Sequence, residues 1–168
     1  VFDTKDVLGD DIDSAHIIDE FTKSVRDIDD HIVVRQFTGD TPDRDSILKD
    51  FADGKVDVLT SMKCLDEGVD VPRSELAIFC SSTGNPRQFV QRRGRVLRTH
   101  KDKHCAIIHD LVVIPGYVSD EETYELEKNL VGTEVKRVRD FAVLSENCND
   151  TLDVLDDVLT RYKISLFE

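Results

Sequence analysis

The first 115 or so residues alternate short β-branched or apolar runs with segments of helical periodicity, and that alternation restricts the fold more than any other feature of the chain. "SAHIIDEFTKSV" (14–25) sets Ile17, Ile18, Phe21 and Val25 at helical spacing behind Ser14, a candidate cap. "HIVVRQF" (31–37) is a β-branched run closed by Thr38 and Gly39. "TPDRDSILKDFADG" (41–54) predicts a helix opened by Pro42, with Ile47, Leu48 and Phe51 on one side and a stop at Gly54. "VDVLTS" (56–61) and "ELAIFCSS" (75–82) predict strands, "NPRQFVQRRGRVLR" (85–98) a helix, and "HCAIIHDLVVI" (104–114) one or two more strands. Strands separated by helices of this length imply right-handed crossovers, and so a parallel sheet with helices on both faces. The expected class is α/β over residues 1–116.

Beyond Pro115 and Gly116 the periodicity changes. A long charged helix is expected from about 120 to 148, with Leu126, Leu130, Val135, Val138, Phe141 and Leu144 recurring on a face and Gly132 a candidate interruption. "NDTLDVLDDVLTRYKI" (149–164) adds a second helix carrying Leu152, Leu155 and Leu159. Residues 117–168 are thus expected to form a helical extension, paired as a hairpin. No internal repeat or low-complexity segment interrupts the chain.

The charge is uneven. Asp and Glu total 35 against 22 Lys and Arg, a formal net charge of -13. Asp outnumbers Glu and Lys is sparse, a composition expected of a halophilic, salt-adapted surface. No run approaches the roughly 18 apolar residues of a membrane span, and a cytoplasmic protein is expected. Cys64, Cys80, Cys105 and Cys148 include no C-x-x-C pair and are expected as buried thiols rather than zinc ligands or disulfides. His16, His31, His100, His104 and His109 show no metal-ligand spacing.

Against this acidity, Arg92, Arg93, Arg95 and Arg98 crowd one segment that follows a strand, at the carboxyl end where open α/β sheets bind ligands. At about 100° per residue, Gln91, Arg95 and Arg98 share a face while Phe89, Val90, Val96 and Leu97 lie on the other side. Guanidinium forks suit phosphate oxygens. A solvated basic face paired with nearby carboxylates would give the same spacing.

Resemblance separates these readings. "QRRGRVLR" (91–98) resembles motif VI, and "VDVLTSMKCLDEGVDVP" (56–72) motif V, of superfamily 2 helicases and translocases, in the family's order and joined by the strand "LAIFCSS". "FTGDTPDRDSILKDFADGKVDVL" (37–59) is similar to the family's stretch between motifs IV and V. "MKCLDEGVDVP" with "GNPRQFVQRRGRVLR" further resembles the branch of XPB-type helicases, restriction-enzyme motor subunits and defence-associated translocases, and "EVKRVRDFAVLSENCNDTLDVL" resembles a helical extension in some of them. The chain has no G-x-x-x-x-G-K-[ST] phosphate loop and no D-E-x-[HD] motif, so the resemblance is to the second RecA-like domain of such a motor. That domain alone is expected not to hydrolyse ATP.

The resemblance implies roles. Arg95 and Arg98 match the arginine fingers of motif VI, and Gln91 the polar group near the γ-phosphate and attacking water; ATP and Mg2+ are held mainly by a first RecA-like domain of the same polypeptide. Gly68, Asp70 and Arg92 match positions near the nucleotide. Asp70 also fits a turn carboxylate before Pro72, Arg92 and Arg93 also fit ion pairs, and Glu67 fits an organiser of the arginines. Thr38, Gly39, Thr60, Ser61 and Lys63 match contacts to the backbone of a nucleic acid, expected to be DNA; Met62 replaces a frequent Thr. The alternative is a non-catalytic nucleic-acid or partner-binding module that keeps the fold. The chain is expected to be monomeric and free of any membrane association.

Overall fold

The structure, a computed structural model, describes residues 11–62, 71–80, 86–116 and 121–166. The chain divides into two compact units, Val1–Leu111 and Val112–Glu168. The division falls a few residues before the change in sequence pattern because Val112 and Ile114 pack into the helical core of the second unit.

The first unit runs α1 (Asp11–Ile28), β1 (Val34–Phe37), α2 (Arg44–Ala52), β2 (Val58–Ser61), β3 (Leu76–Phe79), α3 (Pro86–Val96) and β4 (Ile107–Asp110). Among the described residues all pairing is parallel: β1 with β2, Val34 opposite Val58 through Phe37 opposite Ser61, and β3 with β4, Leu76 opposite Ile107 through Phe79 opposite Asp110. Among the described residues these are two separate two-stranded ladders, where the sequence predicted one parallel sheet. The class is α/β, as expected.

Helix α1, whose described residues run from Asp11, contains Ser14, which is therefore not the residue that precedes it. Its buried positions are Ile18 and Thr22, four residues apart, while Phe21 stays 39% exposed. Thr22 is buried in Phe21's place, its hydroxyl donating to Ile18 O at 2.7 Å. Helix α2 opens after Asp43, which takes the left-handed conformation (φ 53°), and places Ile47, Leu48 and Phe51 against Phe37 and Val71. Arg44 stacks over the Phe37 ring at 4.6 Å. The helix stops where Gly54 turns to φ +76°, and Arg73 packs where a Cβ would stand (2.8 Å) while donating to Ala52 O at 2.7 Å.

The second unit contains α4 (Glu121–Ala142), α5 (Cys148–Asp153) and α6 (Asp156–Tyr162). Gly132 does not interrupt α4, and the second expected helix is split in two. Its core is Val131, Val135, Val138, Leu155 and Tyr162. Of the expected stripe, Val135 and Val138 are buried in this core and Phe141 is half-buried, whereas Leu126, Leu130 and Leu144 remain 68%, 58% and 75% exposed, because α5 and α6 pack on the valine line. Tyr162 stacks on Tyr124 at 5.8 Å and donates to Glu127 Oε2 at 3.0 Å; burial, reinforced by that carboxylate, pushes its pKa up.

Candidate functional site

The parallel register brings one set of predicted residues together. Because Phe37 lies opposite Ser61, the carboxyl ends of β1 and β2 coincide, and Thr38 and Gly39 leave the ladder beside Ser61 and Met62. Lys63 lies outside the described residues. Thr38 and Thr41 form a closed turn: Thr38 N donates to Thr41 Oγ1 (2.8 Å), Thr41 N donates to Thr38 O (3.3 Å), and the two hydroxyls are 3.0 Å apart. Gly39 is exposed, and a Cβ built on it would meet nothing within 4 Å. Neither backbone conformation nor internal packing demands glycine there.

Thr60 makes a contact of its own with α1. Its Oγ1 lies 2.7 Å from Thr22 Oγ1. Since the single hydroxyl proton of Thr22 already goes to Ile18 O, Thr60 must be the donor. Gln36 completes the group, its Nε2 donating to Thr22 Oγ1 at 3.2 Å and Asp19 Oδ1 at 2.7 Å. A hydroxyl whose proton is committed to α1 has only lone pairs left, and lone pairs do not bind a phosphate oxygen. In this arrangement Thr60 braces β2 against α1. Ser61 is buried (7% exposed), and its Oγ has no hydrogen-bond partner among the described residues.

The arginine helix α3 follows β3, as predicted. Gln91 is exposed, Arg95 half-buried and Arg98 exposed, with Arg98 two residues beyond the last helical position, Val96. Of the apolar side expected to anchor the helix, Val96 is buried (7%), whereas Val90 and Leu97 remain 53% and 50% exposed. Leu97 already belongs to the turn after the helix, so it no longer follows the helical face. Phe89 and Arg92 lie in the helix, but their side chains fall outside the described residues; Gly68, Asp70, Glu67 and Cys64 lie outside them entirely. Arg93 and Arg95 occupy the last turn, where the helix's carbonyl ends favour cations. The donor set of α3 fits phosphate oxygens and not a metal ion, since guanidinium has no lone pair to give.

One residue of this region was not singled out from the sequence. Lys103, half-buried, donates through Nζ to Val96 O and, at 3.0 Å, to Arg98 O, closing the end of α3. A lysine shortly after a helix terminus is a recognisable signal, but the intervening turn hid it.

Among the described residues the thiols are free: Cys80 and Cys148 are half-buried, while Cys105, two residues before β4, is exposed, against expectation. His31 stands with Asp29 and Asp30, ligand atoms within 4.8 Å, on an exposed turn whose Asp29 carboxylate already accepts from His31 N at 2.9 Å. Among the described residues no helix is long and apolar enough to cross a membrane.

Geometry and sequence together define an α/β domain with an arginine-bearing helix beyond a parallel strand. Residues 10–100, more than half of the chain, match the family described as the helicase conserved C-terminal domain, and the chain belongs to that family. It is 44% identical over 77 residues to the DNA 3'-5' translocase XPB2 of Sulfurisphaera tokodaii, covering 46% of this chain and 17% of the relative. It is 23% identical over 128 residues to the ATP-dependent DNA helicase RecG of Thermotoga maritima, covering 73% and 15%. The chain therefore matches only about a sixth of each of these relatives. Among solved structures, the C-terminal domain of the DEAD-box protein Dbp5 superimposes with a TM-score of 0.42 at 19% identity, covering 70% of this chain and 62% of that one.

Proposed function

We propose that the chain is the C-terminal motor half of an ATP-dependent nucleic-acid helicase or translocase. In this reading a first RecA-like domain holds ATP and Mg2+, and α3 with the turn that follows it supplies Arg95 and Arg98 to the γ-phosphoryl group as its charge redistributes in the transition state. Gln91 orients the attacking water. Gly68, Asp70 and Arg92 approach the nucleotide from motif V and α3. The observation that carries the reading is α3 with the turn beyond it, where Gln91 and Arg98 are exposed and Arg95 half-buried in an otherwise strongly acidic chain.

The carboxyl edge of β1 and β2 is the proposed track. Thr38 and Gly39 offer backbone and hydroxyl groups, Ser61 a hydroxyl without a partner among the described residues, and Lys63 a charge. Gly39 supports the assignment, since an open position held by glycine lets another backbone approach closely. DNA is the proposed nucleic acid, on the names of the two relatives above. A cytosolic setting is in keeping with the free thiols.

In the full protein that carries this chain, Arg95→Ala or Arg98→Ala is expected to lower kcat roughly 10³-fold or more with little change in ground-state ATP affinity. Near-wild-type turnover in both variants would remove the finger assignment. The 168-residue chain alone contains no phosphate loop, and it is expected to show no DNA-stimulated ATPase activity. Turnover that survives removal of contaminants would show that this half is self-sufficient and overturn the two-domain reading.

A further inference from the structure

Arg98 presents a mechanical problem for the function proposed above. Helix α3 ends at Val96, so Arg98 stands outside it. Leu97 N still reaches Arg93 O at 3.0 Å, while the bond from Arg98 N to Arg95 O is longer, at 3.4 Å, beyond the usual range of a backbone bond. Leu97 is 50% exposed and gives little packing anchor. A group that must meet a phosphoryl oxygen within about 0.5 Å needs backbone support.

Lys103 supplies it. The turn through 101–102 is closed by Lys103 N donating to His100 O at 3.0 Å, and it brings the lysine side chain back under the end of α3. Its ammonium donates to Val96 O and Arg98 O, one carbonyl on each side of Leu97. The backbone from Val96 to Arg98 is thus clamped by one cation at the helix's carbonyl end, where the dipole favours positive charge. Burial lowers the Lys103 pKa, against the raising influence of Glu75 and Cys105, as expected for an ammonium that has exchanged water for these two carbonyls.

We propose that Lys103 is the positioning residue for Arg98, fixing the backbone from which that guanidinium reaches the transferring phosphoryl group; this rests on the finger reading of Arg98. The test is steady-state ATPase kinetics of the full protein on a DNA duplex of mixed sequence, with Lys103→Met, Lys103→Arg, Arg98→Ala and the Lys103→Met/Arg98→Ala double variant. Lys103→Met keeps the side chain's length and removes its donors. It is expected to lower kcat roughly 10- to 100-fold, the scale of losing an orienting partner, with KM for ATP within about twofold. Lys103→Arg, which can still donate to both carbonyls, should restore most of the rate.

The double variant separates positioning from general support. Adding Lys103→Met to Arg98→Ala should cost no further rate, because nothing remains to be positioned. If the two losses multiply, or if Lys103→Met turns over like wild type while Arg98→Ala is inactive, the inference is overturned and the finger reading stands. If Arg98→Ala itself is fully active, both fall together. Should Lys103→Met not fold, Lys103→Gln, which keeps one donor, carries the same cycle with a smaller expected loss.

Discussion

The two parallel ladders of the α/β unit are built from strands of equal length, and the more polar one is the better buried. Strand β1 reads VRQF, and its Val34 and Phe37 are 1% and 0% exposed; β3 reads LAIF, and its Leu76 and Ile78 are 52% and 50% exposed. Helices α1 and α2 both pack on β1, and α2 carries Ile47, Leu48 and Phe51 onto Phe37. On the other ladder, Ile107, opposite Leu76, is 52% exposed as well. Hydropathy therefore states what leaving a strand wet would cost, while neighbouring elements decide whether it is covered.

The largest effect that can break this comparison comes from truncating one residue of each ladder. Phe37→Ala is expected to cost about 3–5 kcal/mol, as for a fully buried aromatic. Ile78→Ala, half-exposed to begin with, is expected to cost about 1 kcal/mol or less. Denaturant midpoints at unchanged m-value measure both. Equal losses would mean that the β3 face is as well packed as β1.

A smaller effect compares two glycines flanking α2. Gly54 has φ +76° and the Arg73 guanidinium 2.8 Å from the site of a Cβ, whereas a Cβ on Gly39 meets nothing within 4 Å. Gly54→Ala is expected to destabilise by about 1–2 kcal/mol through the left-handed backbone, with a further loss as Arg73 is pushed off Ala52 O. Gly39→Ala should stay within about 0.5 kcal/mol of wild type. Thermal midpoints of the two variants check the contrast, and a costly Gly39→Ala would place a structural demand where none is visible.

The comparison also marks what was legible in the sequence. Each β-branched run became a strand and each periodic segment contained helix, because period and side-chain branching act locally. The arginine helix was placed correctly by the same logic. Burial was less legible. Thr22 rather than Phe21 faces inward on α1, and Val131 rather than Leu130 on α4, since both choices depend on partners distant in sequence: Thr60 for the first, α5 and α6 for the second. Lys103 was missed for a related reason, its task being fixed by how a turn folds back and not by the pattern around it.

Thr60 shows most directly how such a partner bears on an assignment. Motif resemblance gives its hydroxyl to a nucleic-acid phosphate, while the structure gives the proton to Thr22, which in turn donates to Ile18 O and accepts from Gln36. Thr60→Val keeps the shape and removes that proton, yet leaves Thr22 with a donor to accept from, so no buried group is orphaned. The expected cost is about 1 kcal/mol, the net value of one hydrogen bond. In the full protein, DNA affinity at fixed salt should stay within about twofold, since a brace is lost and not a phosphate contact. A double-mutant cycle with Thr22→Val should show the two residues coupled. A loss of DNA affinity as large as that of removing the Lys63 charge, with stability unchanged, would return Thr60 to the nucleic-acid track and show that the seam to α1 opens when DNA is bound.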